Sequence, residues 1–529
     1  MKKNLLGISL ITMGILYGML SVIVFFICLL CDIEISLVIF ISIIIFIIQF
    51  LVSPILTDIS MKWFYKASFD AEIPEYLKNE ITKMCTNHKM NYPKIGVIMD
   101  GAPNAFTYGL TKNNARIVIT RGLLELLNEK EVVGVIAHEI GHAVHYDMIF
   151  MCVAQLVPLV LYYVYNVFAD NADNDDDKLA IVGLIAYIFY IISQYVILWL
   201  SRTREYYADE FAILETKDPN SFAEALVKIG YGLTASSSKN AKLSVSKPNT
   251  LGIFDAKTSK SLIVSSYNNG GVSKENIKNA MKWEKWNIWA KYYEFFSTHP
   301  LISKRLEAIS NRSKEFNQEP YIVFDEKRPE SYIDDFFYEL FLICSGTIIF
   351  ILFIVLFYLY TQTDNILYIN LCIFLPFIFF LIELFKYNRS HKNNNYKNYK
   401  ISDLLSIVKV SSVTSIPCII EGEVIGKGDP GCIFDEDFVI KDDTGIIFID
   451  YKRVISFMNM VDGLTKTKSL FGKKVKIKGW YRRNPVPYIE IYEMEVEGCK
   501  NKRFYSSLIN KIILTIFIII SLLFIICFI

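Results

Sequence analysis

Long apolar runs alternate with charged segments along this chain of 529 residues. A helix needs about 20 apolar residues to cross the hydrocarbon core of a bilayer. Seven runs have that length: 5–30, 35–56, 149–169, 179–200, 336–360, 366–386 and 508–529. The pattern therefore predicts a mainly α-helical protein that spans a membrane seven times. The first run is longer than the apolar core of a cleaved signal peptide, so we expect it to stay as an anchor.

Apart from Lys178, the lysine and arginine residues near the span ends lie on one side of these predicted spans. They occur at Lys2, Lys3, Lys62, Lys66, Arg202 and Arg204, within 386–400, and at Lys500, Lys502 and Arg503. Cytoplasmic loops carry the excess of positive charge in membrane proteins, so we expect the soluble segments to face the cytoplasm and the acidic loop 170–177 to face the opposite side. The polar Gln155 and Asn166 leave open a hairpin over 149–200 that enters the membrane and returns without crossing.

The segments between the spans suggest a domain plan. Residues 57–335 are expected to form a cytoplasmic domain interrupted by the hairpin 149–200, and 387–400 form a basic linker. The polar stretch 235–282 has the composition of a flexible insertion or lid, or of a loop without function. Residues 401–500 contain short runs of strand-forming residues with glycine-containing connections. These runs predict a small β-barrel similar to the oligonucleotide/oligosaccharide-binding (OB) fold.

The predicted strands fall in two places. In the first domain they are 95–100 and 116–120, and in the barrel they are 408–413, 418–425, 437–441, 446–451, 473–481 and 488–496. Asp443, Thr444 and Gly445 mark a turn between two barrel strands.

Composition and charge restrict the partners. The 55 lysines and arginines nearly balance the 54 aspartates and glutamates, so there is no global basic field and nucleic acid is not an expected partner. One local segment, 473–483, interleaves basic residues with Trp480 and Tyr481. We expect this segment to serve substrate docking or membrane contact, because the predicted C-terminal span holds it beside lipid.

A candidate metal site lies in 131–142, which has helical periodicity and contains His138, Glu139 and His142 in the pattern HExxH. Two histidines four residues apart on a helix project from one face and can share one ion. Glu139 lies about 100° around the helix from His138, which suits a general base that takes a proton from water. A chance match is rare in a chain with six histidines, so the pattern predicts a catalytic zinc site.

The third zinc ligand must come from elsewhere, because a catalytic zinc has three protein ligands and an open position. Glu205 supplies it if the hairpin 149–200 returns the chain to the face that it left. Asp209, one turn later, is expected to accept a hydrogen bond from a ligand histidine, and an ordinary surface carboxylate is the alternative. His145 is excluded, because three rings spread over roughly 10 Å of a straight helix cannot converge on one ion. One zinc ion per subunit is predicted.

Four motifs occur in order over roughly 60–310. They are Asn104-Ala105-Phe106-Thr107-Tyr108-Gly109, His138-Glu139-Ile140-Gly141-His142, Glu205-Tyr206-Tyr207-Ala208-Asp209, and Thr298-His299-Pro300 followed by Arg305. Together they resemble the gluzincin membrane peptidases that include the HtpX proteases and the CAAX-prenyl endopeptidases. The resemblance implies an α-helical zinc endopeptidase domain in which Asn104 holds the substrate backbone. It also implies that His299 and Arg305 assist substrate or transition-state binding, although each of these three residues, taken alone, is more often structural.

The predicted function is hydrolysis of peptide bonds in membrane or juxtamembrane proteins at the cytoplasmic face of the cell membrane, in protein quality control. Polypeptide substrates and the lipid bilayer are the expected partners, and the oligomeric state is left open. CAAX-type prenyl-protein processing and a non-proteolytic, zinc-stabilised membrane scaffold are the alternatives. Glu139 disfavours the scaffold, because a structural zinc needs no general base and usually has four protein ligands.

Overall fold

A computed structural model describes residues 5–31, 35–100, 103–170, 177–235, 267–268, 271–272, 274–324, 330–392, 395–427, 437–450, 470–484, 486–497, 502–503 and 506–528. Most of the acidic loop 170–177 and most of the polar stretch 235–282 lie outside these residues. The chain forms two compact units. The first holds the described residues of Met1–Ser236 and Tyr292–Phe324, and the second holds those of Lys260–Lys291 and Asp325–Ile529.

The described helices and strands follow in chain order. The helices are α1 (Leu5–Cys31), α2 (Ile35–Trp63), α3 (Glu75–Asn87), α4 (Arg121–Leu126), α5 (Glu129–Val144), α6 (Asp147–Asp170), α7 (Asp177–Thr216), α8 (Pro219–Ala235), α9 (Lys274–Trp286), α10 (Ile288–Phe295), α11 (Ile302–Ser313), α12 (Ile333–Thr363), α13 (Ile366–Ser390), α14 (Ile401–Leu405) and α15 (Ser506–Phe528). The strands are β1 (Lys94–Ile98), β2 (Ala105–Gly109), β3 (Ala115–Thr120), β4 (Tyr267–Asn268), β5 (Gly271–Val272), β6 (Lys397–Asn398), β7 (Ile416–Lys427), β8 (Phe438–Lys441), β9 (Ile446–Asp450), β10 (Lys474–Asn484), β11 (Val486–Val496) and β12 (Lys502–Arg503).

Six of the described helices are long and apolar enough to cross a membrane, namely α1, α6, α7, α12, α13 and α15. The prediction of a multi-span membrane protein is confirmed. The predicted span 35–56 lies within α2, and many side chains of that helix fall outside the described residues. In the first unit, α1, α6 and α7 share an apolar core that includes Leu16, Val157, Leu161, Ala186 and Leu200.

Helix α7 continues well beyond its predicted span. The apolar run predicted a span over 179–200, yet the helix extends without interruption to Thr216. Glu205 and Asp209 therefore lie on the same helix as this apolar run, a turn or more after the run ends. This continuity places the candidate third ligand close to the end of a helix that is apolar and long enough to cross a membrane.

A three-stranded sheet lies in the first unit, in the order β1-β3-β2. The strands predicted at 95–100 and 116–120 are confirmed as β1 and β3, which pair in parallel. Strand β2 was not predicted, and it pairs antiparallel with β3 at one edge of the sheet. At the end of β2, Gly109 has φ +146°, and a Cβ there would lie 2.3 Å from the carbonyl oxygen of Asn114, so only glycine fits this connection.

The second unit contains a closed five-stranded β-barrel. Its strands follow the order β7-β8-β9-β11-β10, and β10 pairs back onto β7. The β9–β11 pair is parallel and the other pairs are antiparallel. This arrangement confirms the small OB-like barrel predicted from the alternating pattern. The Asp442 carboxylate accepts hydrogen bonds from the backbone N–H groups of Thr444 and Gly445, which forms the predicted turn.

The prediction of a strand at 408–413 was wrong. The backbone there is irregular, because side chains of the second unit take hydrogen bonds that a strand would use for its ladder. The carbonyl oxygen of Val410 accepts a hydrogen bond from Nε1 of Trp283, and that of Val408 accepts one from Nδ2 of Asn287, both at 2.8 Å.

The basic segment 473–483 is not the open surface that its composition suggested. Trp480, Tyr481, Arg482 and Arg483 are all buried. Lys474 and Lys476 of β10 are exposed, and Lys476 forms an ion pair with Glu421 of β7 at 2.7 Å. The aromatic and arginine end of the segment is therefore not exposed for docking or membrane contact.

Candidate metal centre

Helix α5 positions the two histidines of the HExxH pattern. A capping box starts this helix: Oδ1 of Asn128 accepts from the backbone N–H of Glu131, and Oε2 of Glu131 accepts from that of Asn128. One turn apart on the buried face, His138 and His142 direct their Nε2 atoms at each other, 3.2 Å apart. Two nitrogen ligands of a tetrahedral zinc lie about 3.3 Å apart, given zinc–nitrogen bonds of about 2.0–2.1 Å.

Glu205 of α7 completes this cluster. Its Oε2 lies 3.6 Å from Nε2 of His138, and its Oε1 lies 3.6 Å from Nε2 of His142. Ligand atoms of these three residues all lie within 4.8 Å of one another. Two imidazoles and one carboxylate at these separations fit a single zinc ion, and the described residues place no fourth ligand in the cluster.

Carboxylates contact the outer nitrogens of both histidines. Oδ1 of Asp209 lies 3.0 Å from Nδ1 of His138. Oδ2 of Asp147 lies 2.7 Å from Nδ1 of His142. A carboxylate on one ring nitrogen orients the ring and leaves the other nitrogen free to bind a metal.

Comparison with known proteins agrees with this geometry. The model of peptidase family M48 matches residues 73–313. The protease HtpX homolog of Methanothermobacter thermautotrophicus is 36% identical over 182 residues, which cover 34% of this chain and 68% of that protein. The chain belongs to peptidase family M48. The protease HtpX homolog 2 of Methanosarcina acetivorans is 25% identical over 254 residues, 47% of this chain and 76% of that protein.

A solved structure, that of Ste24p from S. mikatae, resembles this M48 peptidase with a TM-score of 0.35 and 18% identity, over 57% of this chain and 65% of that chain. The family match ends at residue 313, so α12, α13, the β-barrel and α15 follow the matched region.

His299 and Arg305 also lie at the metal centre of this M48 peptidase. Nδ1 of His299 is 3.2 Å from Oε2 of Glu205. The guanidinium of Arg305 donates to both oxygens of Asp209, at 2.9 and 2.6 Å, and its Nη1 lies 3.4 Å from Oε2 of Glu205. The Arg305 side chain is fully buried, so these contacts support a role in holding the two carboxylates and do not support direct substrate contact.

Asn104 lies where β2 begins. Its carbonyl oxygen accepts from the backbone N–H of Thr120 at 2.9 Å, and its own N–H donates to the Thr120 hydroxyl at 2.8 Å. This pairing extends the β2–β3 ladder to Asn104. The residue therefore begins an edge strand, which is the setting that the sequence suggested for a peptide-binding edge.

The cluster of His138, His142 and Glu205 is surrounded by contacts that the sequence did not predict. The hydroxyl of Thr107 on β2 donates to Oε2 of Glu139 at 2.7 Å. The second oxygen of Asp147 pairs with Nη1 of Arg204, whose Nη2 lies 2.7 Å from Oγ of Ser9 on α1. The only sequence signal was the position of an acidic residue soon after His142 and of an arginine beside Glu205.

A backbone turn explains why Asp147 reaches His142. Helix α5 ends at Val144, and Tyr146 adopts φ 59° in the left-handed region before α6 starts at Asp147. His145 lies beyond the end of α5, where its ring contacts Tyr207 and Phe211 edge-on. This location agrees with its exclusion as a ligand.

Opposing charges set the electrostatics of the centre. Burial lowers the pKa of His138, but hydrogen bonds with Asp209 and Glu205 outweigh burial and raise the pKa to about 9. Burial and the nearby His138 lower the pKa of His142. Burial also lowers the pKa of Arg305, and the charges of Asp209 and Glu205 outweigh it and hold the pKa above its usual value.

Proposed function

We propose that this chain is a zinc-dependent endopeptidase in which His138, His142 and Glu205 hold one zinc ion per subunit. The observation that carries the proposal is the cluster of three ligand atoms within 4.8 Å of one another, with Glu139 in the same helical turn. Three protein ligands leave a coordination position open, as catalytic zinc sites do, whereas structural sites are closed by four. The family to which the chain belongs is a peptidase family, which supports the same activity.

The residues around the site suggest how a peptide bond would be cut. When bound, zinc acts as a Lewis acid that polarises the scissile carbonyl and lowers the pKa of water. Glu139 would take a proton from the attacking water and deliver it to the leaving amine as the C–N bond breaks. Asp209 and Asp147 would hold the two ligand rings in their orientation. Thr107 would fix the carboxylate of Glu139 through its 2.7 Å hydrogen bond.

The substrate would lie along β2, the edge strand that begins after Asn104. An extended peptide can pair with an exposed strand edge through backbone hydrogen bonds alone, which suits cleavage at many sequences. Asn104 would hold the substrate backbone at the start of this edge. His299, beside Glu205, would donate to the oxyanion that develops on the carbonyl, and Arg305 would assist by holding Glu205 and Asp209.

We further propose that the active site faces the cytoplasm and acts on membrane or juxtamembrane polypeptides, in protein quality control. Two observations support this proposal. Lysine and arginine lie predominantly on one side of the spans, the side of the HExxH helix. Glu205 follows the apolar part of α7 on one continuous helix, so the metal centre lies near the membrane end of that span.

The decisive experiment is cleavage of a membrane-protein substrate by the purified full chain in detergent, with and without a chelator. Glu139→Gln is the matched variant, because the amide keeps the size of the side chain while it removes the base. We expect wild-type cleavage that chelator abolishes. We expect Glu139→Gln to keep its zinc and to lose activity by about 10²–10⁴-fold.

Cleavage assays that include further substrates would distinguish the alternative functions. Preferred cleavage of a prenylated peptide over the same sequence without the lipid would favour CAAX-type processing. Zinc binding without cleavage of any of these substrates would favour the scaffold. Loss of zinc from Glu139→Gln in step with loss of activity would show that Glu139 is a ligand and not the base.

A further inference from the structure

An apolar stripe runs along α7 on its exposed face. Apart from the adjacent Ile191 and Ile192, its members follow one another at spacings of three or four residues, as one face of a helix requires: Leu184, Ile188, Ile191, Ile192, Tyr195 and Trp199. Leu184, Ile188, Ile191, Ile192 and Trp199 are exposed. Tyr195 is only partly exposed, because side chains from outside α7 cover it. Such a stripe on a membrane-crossing helix is the surface that meets lipid.

The residues that cover Tyr195 belong to the segment 292–297, which we call the aromatic turn. The ring of Phe295 stacks on that of Tyr195, with centroids 4.7 Å apart and planes at 19°, and the ring of Phe296 meets it edge-on at 5.6 Å. Phe295 and Phe296 are nevertheless 49% and 47% exposed. Tyr195 lies within the predicted span 179–200. The two phenylalanines pack on its ring, so they extend the lipid-facing stripe sideways from the surface of α7.

Arg202 binds the backbone of the aromatic turn. Its Nη1 lies 2.9 Å from the carbonyl oxygen of Glu294, 3.2 Å from that of Phe295 and 2.7 Å from that of Ser297. Where a backbone approaches the hydrocarbon region, its carbonyl groups must be satisfied within the protein, because the bilayer core holds no water to hydrate them. Arg202 meets this requirement two turns of α7 after Tyr195.

The aromatic turn also leads directly to the metal centre. The hydroxyl of Ser297 accepts the N–H of His299 at 3.1 Å and lies 2.9 Å from its carbonyl oxygen. Nδ1 of His299 lies 3.2 Å from Oε2 of Glu205. Only one residue separates Ser297 from His299, so the turn is directly connected to a residue that contacts Glu205.

We propose that the aromatic turn is a lipid-binding element that inserts Phe295 and Phe296 into the boundary between the headgroups and acyl chains beside α7. Interfacial segments bury Trp, Phe and Leu side chains at this boundary, and arginine keeps its charged head in the polar layer. Continuity with the lipid-facing stripe of α7 selects the bilayer as the partner of this exposed pair. The contact sets the height of His299 above the membrane, and it favours substrates whose scissile bond lies a short distance from the bilayer. This functional consequence rests on the proposed peptidase activity, whereas the lipid contact does not.

Quenching by brominated lipid tests the contact itself. The full chain is reconstituted in phosphatidylcholine vesicles with and without bromine on the acyl chains, and the fluorescence that Phe296→Trp adds to wild type is measured. Tyr92→Trp is the matched control, because Tyr92 is also 47% exposed but lies between α3 and β1. We expect quenching of the added signal in Phe296→Trp and none in Tyr92→Trp. An unquenched signal overturns the proposal, and a blue shift that grows with protein density without quenching would assign the surface to a second copy of the chain.

Cleavage assays test the functional consequence. Phe295→Ser combined with Phe296→Ser should lower kcat/KM on the order of tenfold for a peptide tethered to the vesicle through a membrane span. The same double variant should leave cleavage of a short soluble peptide unchanged, and Tyr92→Ser should change neither. Equal losses on both peptides would show a general defect and overturn the link to the membrane. Absence of cleavage by wild type would contradict the proposed peptidase and leave the quenching result to decide the lipid contact.

Discussion

The hydroxyl oxygen of Thr107 lies 2.7 Å from Oε2 of Glu139 and 3.0 Å from the backbone carbonyl oxygen of Glu139. Thr107 is on β2, the edge strand at which we propose that the substrate binds. Glu139 is on α5, between the two histidines of the cluster. The contact therefore connects the proposed substrate strand to the proposed general base with a single side chain.

Replacement of Thr107 tests this connection. A hydrogen bond to a charged group contributes about 1.5–3 kcal/mol, so Thr107→Val should lower kcat about tenfold or more, with KM and zinc content unchanged. Thr107→Ser keeps the hydroxyl and should restore most of the activity. Steady-state kinetics and metal analysis on the three proteins decide the matter. An equally impaired serine variant would mean that the methyl group, and not the hydroxyl, is what matters.

Replacement of Glu205 tests the ligand set. Glu205→Gln exchanges an anionic oxygen donor for a neutral one and should weaken zinc binding. Asp209→Asn leaves the three ligands in place and removes the carboxylate that orients His138 and pairs with Arg305, and losses of outer-shell partners of this kind are about 10–100-fold in affinity. We therefore expect a larger loss for Glu205→Gln than for Asp209→Asn. Competition with a fluorescent chelator measures both values, and unchanged affinity in Glu205→Gln would remove this residue from the metal.

Arg305 should stabilise the fold as well as the site. It is buried between Asp209 and Glu205, and removal of one partner from a buried ion pair costs about 3–5 kcal/mol. Arg305→Met should therefore lower the melting temperature of the metal-free full chain markedly. Arg121→Met is the matched control, since the Arg121–Glu125 pair is exposed and should contribute little. Similar melting temperatures for the two variants would contradict this account of Arg305.

Zinc affinity should depend on pH through His138. The pKa of His138 is raised to about 9, so the metal-free protein carries a proton on this ring at neutral pH. Zinc binds the neutral imidazole, and binding must therefore release that proton. The apparent affinity should rise with pH up to about 9 and then become independent of this group. Isothermal titration in buffers of different ionisation enthalpy counts the protons, and no release at pH 7 would show that His138 is already neutral.

Membrane topology can be probed with single introduced cysteines and a membrane-impermeant reagent. We expect positions in 57–148, 202–335 and 387–507 to react from the cytoplasmic side and positions in 170–177 from the opposite side. The sharing of one ion by His142 and Glu205 requires an even number of crossings between them, or none. Reaction of 170–177 from the cytoplasmic side would mean that 149–200 enters and returns without crossing, and it would reduce the expected spans to five.

Spacing along the sequence was sufficient to predict the features that depend on residues close together in the chain. His138 and His142 meet because four residues make about one helical turn, and the membrane helices follow from the length of their apolar runs. The barrel strands follow from their alternating pattern, except at 408–413, where side chains from Trp283 and Asn287 take the backbone hydrogen bonds. Propensity cannot foresee such distant competitors.

Only the tertiary structure brought together the partners that are far apart or that depend on a turn. Asp147 reaches His142 because Tyr146 adopts a left-handed conformation, and no residue type there requires it. Thr107 reaches Glu139 because β2 packs beside α5, a contact that spacing along either element does not encode. The sequence alone indicated that a zinc site exists. The folded chain added Asp147 and Thr107 to the groups that orient its residues, because these contacts depend on how separate elements pack.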